Sequence, residues 1–266
     1  MRSKISDEMQ WADDVARLLS RGMRTNFYSP AKEFFPIIVQ GRLFREAFPG
    51  GVYYFVEKEG QTDCYFFLEK GALPGGFAPW DKPVLLEQVA SARRGISPTA
   101  EEWSGIGFEP YLQRKRLFLP AEKAQAQVQT IEFAEETEAD LILRWMQKFF
   151  EPYTSALPSG EVLRQDLREK RVIAAREGEE LLGFLRFGRE KRVSVLWQIV
   201  VTPSGRGKGI GERLLKDWFA LERGSVSKFQ LWVREDNPSA LRLYAKSGFQ
   251  TDGRIAPVMI KNEVKK

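Results

Sequence analysis

Apolar and polar positions along the chain alternate between strand-like and helix-like spacing in two successive blocks. In the first block, Glu8 to Leu19 has the spacing of a helix, and "GGVYYFVEKEGQTDCYFFLEKG" reads as a hairpin that turns near Glu59-Gly60. The segment "GALPGGFAPW" is rich in turn formers. Val84 to Ala92 is expected to be helical, and "SGIGFEPYLQRKRLFLP" alternates as two closing strands would. A polar Ala/Gln-rich stretch between Pro120 and Thr130, "AEKAQAQVQ", marks the expected domain boundary. Residues 1–125 and 126–266 are therefore read as two domains, as the chain length of 266 residues also suggests.

The second block gives stronger signals. "TIEFA" predicts a short strand, Glu138 to Phe150 a helix, and Glu161 to Lys170 another helix after the aromatic loop "FFEPYTSALPSG". "RVIAARE" and "LLGFLRFG" predict strands joined at Gly178-Glu179. In "RVSVLWQIVVTP" the residues Val193, Val195, Trp197, Ile199 and Val201 occupy alternate positions, which predicts a central strand with one wholly buried side, Ser194 and Gln198 lying on the other. Strands mixed with helices in this order give an α/β class with a mixed sheet.

That central strand runs into "SGRGKGIGERLLKDWF", a glycine-rich turn followed by an amphipathic helix. Strand, glycine turn and helix together build an anion site, because small residues let the backbone approach and the first helical N–H groups have no partner. The expected helix places Ile210, Leu214, Trp218 and Leu221 on its packing face, with Glu212, Arg213, Lys216 and Asp217 elsewhere. Spacing separates the kinds of anion loop. Lys208 is followed by Gly209 rather than Ser or Thr, which excludes a Walker loop. A dinucleotide fingerprint fails from either Gly205 or Gly207, whose last positions are Ile210 and Glu212.

Composition narrows the chemistry. The chain has no histidine and one cysteine, which excludes His-dependent triads, Cys-His pairs and His- or Cys-rich metal sites. Cys64, set among strand-forming aromatics, reads as a small buried residue. The net charge of +5 would suit an anionic ligand, but Lys and Arg are scattered among Asp and Glu, so nucleic acid is not an expected partner. No long apolar run exists and the N-terminus carries acids where a signal peptide needs an apolar core, so neither a membrane partner nor a metal is expected, and the cytoplasm is the expected location.

The run Arg206-Gly207-Lys208-Gly209-Ile210-Gly211 has the R/Q-x-x-G-x-G/A pattern and resembles the acyl-coenzyme A loop of the GNAT superfamily of N-acyltransferases. "KFQLWVREDNPSALRLYAKSGFQTDGR" is similar to the family's second signature, with Asn237 opening a helix before Leu243-Tyr244 and Lys246-Ser-Gly-Phe249. The resemblance covers about Thr130 to Lys261. It implies acetyl-CoA as cosubstrate, with backbone amides from Arg206 to Gly211 on its pyrophosphate. It also implies that the strand edge at Ile199, Val200 and Val201 pairs with the pantetheine amides, and that Asn237 contacts the cofactor. The acceptor amine would attack the thioester directly, and Tyr244 would protonate the leaving thiolate.

Beside these roles stand plainer ones: Tyr244 as an aromatic on the buried face with Leu241, and Asn237 as a helix cap with Pro238 in the first turn. Where many relatives carry a glutamate, the strand before the loop offers Ser194 and Gln198, so the general base is open among Glu135, Glu190 and Asp236. The loop "KFFEPYTSALP" is the expected wall of the acceptor pocket, with Phe149, Phe150 and Tyr153 either lining it or sealing a helix. The expected acceptor is a small-molecule primary amine, with a peptide or protein acceptor, or a non-catalytic acyl-CoA sensor, as alternatives. A monomer or homodimer is expected.

The ends of the two blocks are alike. "EEWSGIGFEPYLQRKRL" and "RLYAKSGFQTDGRIAPV" share an aromatic, a Gly-Phe pair and a strand-like tail. The first half is thus read as a degenerate GNAT-like copy without a cofactor loop, Trp103 taking the tyrosine position, and the whole as a tandem GNAT-like acyl-CoA N-acyltransferase fold.

Overall fold

The computed structural model describes residues 1–91, 98–126 and 130–262, which gather into two compact units. Unit 1 comprises Met1–Arg114 together with the chain from Arg254 on, and unit 2 comprises Lys115–Gly253. The expected boundary lies near 125, in a stretch that includes residues 127–129, outside the described residues. Unit 2 is one continuous segment, whereas unit 1 is made of two, the last strand of the chain completing it.

Unit 1 contains β1 (Arg2–Lys4), α1 (Glu8–Ser20), β2 (Arg24–Thr25), α2 (Phe35–Val39), β3 (Leu43–Phe48), β4 (Gly51–Glu57), β5 (Thr62–Leu68), β6 (Val84–Glu87), β7 (Ala90–Ser91), α3 (Ala100–Ser104) and the first half of β8 (Glu109–Pro120). Asp7 starts α1 by accepting from the amides of Met9 and Gln10, and Trp11, Val15 and Leu18 then fall on one buried face. They pack on Tyr54 and Phe67 from one side of the sheet, while Tyr53, Phe55, Phe66 and Trp103 fill the other. The order in this unit is β1-β3-β4-β5-β6-β13-β8.

Two expectations fail in this half. Val84 to Ala92 is not helical: β6 and β7 occupy its described part, and Ala92 itself lies outside the described residues. A run of three apolar residues, Val84 to Leu86, fits either period, and pairing on both edges decides it, since β6 lies parallel to β5 and antiparallel to β13. The segment read as two closing strands is the end of α3 followed by one long strand, β8. Gly107, in the left-handed region, makes the turn between them.

Unit 2 contains the second half of β8, then α4 (Ala139–Phe149), α5 (Gly160–Arg168), β9 (Val172–Glu177), β10 (Glu180–Glu190), β11 (Val193–Val201), α6 (Ile210–Glu222), β12 (Lys228–Arg234), α7 (Pro238–Lys246) and the start of β13 (Gln250–Lys261). Its sheet runs β13-β8-β12-β11-β10-β9. The expected strand "TIEFA" shrinks to one antiparallel bridge, Phe133 to Ile173. On one face of the sheet α6 and α7 bury Leu214, Trp218, Phe219 and Tyr244, and on the other α4 and α5 bury Ile142, Met146 and Leu163. Each large side chain so buried contributes about 1.5–3 kcal/mol.

The expected buried face of β11 is overturned. Opposite β10 the register slips by one residue: Arg186 faces Gln198, whereas the next residue, Phe187, faces Leu196. Trp197 is therefore an extra residue, a β-bulge, and side-chain alternation inverts across it. Before the bulge Ser194 and Leu196 point toward α6, and after it Ile199 and Val201 do, while Val200 joins the α4–α5 side. Trp197, expected on the wholly buried side, is 37% exposed, whereas Ser194 and Gln198, expected on the other face, are 0% and 1% exposed. In α6, Asp217 is also buried rather than on the outer face, with Arg213 at 3.8 Å.

Candidate active site

Three elements of unit 2 converge at the C-terminal end of β11. The first is the strand edge itself. β11 and β12 run parallel with pairing at Val193–Lys228, Ser194–Phe229, Val195–Gln230 and Leu196–Leu231, and the ladder ends there. Ile199, Val200 and Val201 continue beyond it, paired only on the β10 side with Leu185, Phe184 and Gly183. The bulge at Trp197 supplies the bend that separates the strands.

The second element is the glycine turn. Thr202 anchors it: its amide and hydroxyl both donate to the Leu182 carbonyl at 2.9 Å, and its hydroxyl accepts from the Gly205 amide at 3.3 Å. Gly205 is buried against Leu182. Gly207 and Gly209 then adopt φ of 76° and 75°, which only glycine does without strain, and nothing lies within 4 Å of where a Cβ on either would sit. The turn faces open space.

Gly209 is the N-cap of α6 and contributes no side-chain cap, so the first-turn amides of Ile210, Gly211 and Glu212 lack an intrahelical partner. Those donors and the positive end of the helix dipole fit an anion such as a diphosphate. Lys208 adds a charge beside them and is ion-paired with Glu177, and Arg206 sits exposed at the start of the turn.

The third element is α7. Asn237 caps it, accepting from the Ala240 amide at 3.1 Å and from the Ser239 hydroxyl at 3.0 Å, which is the geometry of the plainer reading. Leu243 packs against Gly211 and Lys246 pairs with Glu212, so α7 is fixed to the first turn of α6. Tyr244 is 4% exposed and lies in the same core as Ile210 and Leu214, with its ring 5.7 Å from that of Phe249. Burial pushes its phenol pKa well above the usual value.

The other face of β11 carries a polar chain that the sequence did not reveal. Asp166 of α5 accepts from Arg186 Nε at 2.7 Å, Arg186 Nη1 donates to Gln198 Oε1 at 2.8 Å, and Gln198 Nε2 donates to the Ser155 carbonyl at 2.9 Å. All three side chains are buried, and burial pulls the Arg186 pKa down while Asp166 opposes that shift. The chain ends on the loop 150–159, where Ala156 has a left-handed φ of 46°. Within that loop Glu151 accepts from the amides of Tyr153 and Thr154. Arg186 also stacks on Trp197, 4.4 Å from the ring centroid, and that ring lies across Gly188.

Only the pairing of a charge on β10 with one twenty residues earlier could have announced this, and nothing in the spacing singles out Arg186.

The three carboxylates considered as a base are placed elsewhere or already engaged. Glu190 lies at the β10–β11 turn, a whole strand of nine residues from the glycine turn, roughly 30 Å at about 3.3 Å per residue. Glu135 caps the turn before α4. Asp236 is paired with Arg234, whose hydrogen bonds hold its carboxyl below the usual range and make it a weaker base. Burial pushes the Cys64 thiol far up, which leaves it unreactive. Among the described residues no cluster of His, Cys, Asp or Glu could hold a metal, and no helix is long and apolar enough to cross a membrane.

The Acetyltransferase (GNAT) family matches residues 139–249, from the first residue of α4 to the Phe249 that packs on Tyr244. Residues 139–249 thus form a GNAT-fold domain. Over 85 residues the chain is 39% identical to N-alpha-acetyltransferase RimI of Mycobacterium tuberculosis, covering 30% of this chain and 52% of that protein, so it spans about half the relative's length. In three dimensions it is similar to a GCN5-related N-acetyltransferase from Sphaerobacter thermophilus, with a TM-score of 0.66 at 15% identity over 98% of this chain and 95% of that one. It is also similar to a tandem GNAT protein from the clavulanic acid biosynthesis pathway, with a TM-score of 0.58 at 10% identity over 100% of both chains. These likenesses show the fold, a mixed α/β GNAT architecture duplicated across the chain.

Proposed function

We propose that the GNAT domain transfers the acetyl group of acetyl-CoA to the primary amine of a small molecule. The observation that carries this reading is the convergence, at one end of β11, of an unpaired strand edge at Ile199–Val201 with the uncapped first turn of α6. The edge would take the pantetheine amides, and the amides from Arg206 to Gly211 the pyrophosphate. Asn237 is kept as a neighbour of the cofactor through its place at the start of α7. Acetyl-CoA would supply an activated thioester, and this chain would orient it and hold a proton at Tyr244 Oη.

Burial keeps that phenol neutral at any physiological pH, so it is present as a donor to the departing thiolate. Complete transfer is costlier than from an unshifted phenol by about 1.4 kcal/mol per pKa unit.

The lack of a carboxylate on β11 bears on the acceptor. A lysine-like amine of pKa ~10.4 costs about 4.6 kcal/mol to deprotonate at pH 7, against about 1 kcal/mol for an α-amine of ~7.8. Weakly basic amines are therefore favoured. The loop 150–159 lies directly on β11 through Gln198, which supports a short acceptor site rather than a groove for a chain. The likeness to a protein named N-alpha-acetyltransferase favours a second reading, a peptide α-amine.

In this proposal residues 1–125 are a degenerate GNAT-like domain and residues 126–266 the acetyltransferase. The protein works in the cytoplasm as a monomer or homodimer, without metal, nucleic acid or membrane. Thiol release from acetyl-CoA across a panel of small amines and short peptides tests it. Turnover with a small amine is expected. Turnover with peptides alone would select the second reading, and tight acetyl-CoA binding without release would indicate a sensor.

A further inference from the structure

Unit 1 repeats the geometry of the cofactor edge and then fills it. Its β5 and β6 run parallel, as β11 and β12 do, and pair only at Thr62–Val84 and Asp63–Leu85 before separating. The other edge of β5 is taken along its whole length by β4. The groove that opens beyond Asp63 is thus bounded by β5 and β6. In unit 2 the corresponding edge belongs to Ile199–Val201.

The chain's own segment 24–27 lies in this groove. β2 pairs antiparallel with β5 at Arg24–Leu68 and Thr25–Phe67. Asn26 follows, 5% exposed, with its carboxamide directed between the strands. Its Oδ1 accepts from the Phe66 amide at 2.8 Å, and its Nδ2 donates to the Cys64 carbonyl at 2.9 Å and to the Glu87 carbonyl at 2.9 Å. Cys64 C=O and Phe66 N–H are the two groups that a strand offers to a neighbouring peptide unit, so the side-chain amide docks as a peptide would and also ties β5 to β6. Phe27 then turns into the α1 core, its amide donating to Thr25 Oγ1 at 2.9 Å.

The remaining parts of an acyl-CoA cleft are also filled or absent here. The connection from β5 to β6, residues 69–83, contains no helix, and so no helical first turn is offered to a diphosphate. Within it Gly75 lies under the Phe48 ring and its carbonyl accepts from Tyr53 Oη at 2.8 Å. Trp103 takes the place expected for the tyrosine and lies wholly inside an aromatic cluster with Phe66 and Phe108.

We infer that segment 24–27 is an internal ligand of unit 1, the Asn26 carboxamide occupying the position that unit 2 leaves for an amide of the acyl carrier. The inference rests on the acetyltransferase reading for what the edge of β11 receives. It assigns Asn26 a role: the degenerate half stays folded without a cofactor because the chain itself satisfies the strand edges. An unpaired buried peptide group is costly, so a cleft that lost its ligand would need such a substitute.

Amide exchange followed by NMR, together with native mass spectrometry, tests this on the full chain. The Phe66 amide is expected to be protected in the free protein and unchanged when CoA is added. The amides of Ile199–Val201 are expected to gain protection, and binding to saturate at one CoA. Asn26→Ala should lower Phe66 protection by at least tenfold and leave CoA affinity unchanged. Asn26→Leu, which is close in size and removes the Oδ1 acceptor of the Phe66 amide, gives the same test if the alanine variant does not fold.

Rapid exchange of Phe66 in the free wild-type protein, a response of Phe66 to CoA, or a second bound equivalent would overturn the inference. Failure of CoA to bind at all would instead defeat the acetyltransferase reading, and Phe66 protection would still decide the role of Asn26.

Discussion

Leu243 of α7 packs onto the bare Cα of Gly211 in α6: a Cβ there would stand 3.0 Å from Leu243 Cδ2. The glycine lets α7, which carries Tyr244, lie against α6, which follows the glycine turn. Gly211→Val should therefore weaken CoA binding and also lower stability by about 1–3 kcal/mol through overpacking. Calorimetric titration and urea unfolding read the two effects. Loss of affinity with unchanged stability would show that the α6–α7 contact is slack.

Tyr244→Phe should lower turnover by roughly 10²- to 10⁴-fold, the range for loss of a general acid, with CoA affinity nearly unchanged. The phenol's pKa is raised in the folded protein, so its contribution to stability is complete below the unfolded value of about 10 and declines as pH rises beyond it. Activity of the wild type should accordingly show no loss from Tyr244 ionisation between pH 7 and 10. Wild-type turnover in the Phe variant under conditions where chemistry limits the rate would leave Tyr244 as a core aromatic.

Gln198→Ala should raise KM for the amine while leaving CoA affinity unchanged, because Gln198 holds the loop 150–159 through the Ser155 carbonyl but lies on the opposite face from the glycine turn. Arg186→Met should cost more, about 3–5 kcal/mol, since it leaves the Asp166 carboxylate buried without its main partner. Steady-state kinetics and denaturant midpoints separate the two. Equal effects on amine and CoA binding in the Gln198 variant would count against a role confined to the loop.

Acid should destabilise unit 1 through Asp14. Burial alone would raise its pKa, but hydrogen bonds from Tyr54 and Arg17 and the charge of Arg45 hold it below the usual carboxylate value. A carboxylate depressed on folding contributes stability above the unfolded pKa of about 3.9, and that contribution is lost as pH falls through the folded value. The urea midpoint should fall below about pH 4, and Asp14→Asn should be less stable near neutrality with a flatter pH profile. An unchanged profile would remove Asp14 from the account.

A fragment ending at residue 125 should not fold as unit 1 does. It lacks the part of β13 that pairs with β6, from Val258–Glu87 to Lys261–Val84, and leaves that edge and the Met259 site in the core uncovered. Circular dichroism and limited proteolysis of the fragment, alone and with residues 126–266 supplied separately, measure this. A stable, protease-resistant fragment would show that β13 is dispensable.

Much of unit 2 was readable from local pattern. The glycine spacing from Arg206 to Gly211 fixes a turn that requires positive φ, and a strand before it and an amphipathic run after it leave one arrangement for the three. Asn237-Pro238 specifies a helix start by chemistry alone. Other features were not local. The β-bulge at Trp197 inverts the faces of β11, and it exists only as a register between two strands, so alternation in the sequence misled. Val84–Glu87 took strand form because partners lay on both edges, which no propensity records.

The sequence by itself determined the second half's order of strand, glycine turn and helix, the absence of histidine chemistry, and the likeness of the two halves. Those depend on residue identity and short spacing. Only the tertiary structure decided that Asp166, Arg186 and Gln198 form one chain, that Asn26 fills a groove between β5 and β6, and that β13 completes unit 1. Each of these joins residues distant along the chain, and such contacts are fixed by which strand edges remain unpaired after packing, a quantity that belongs to the folded sheet and not to any stretch of it.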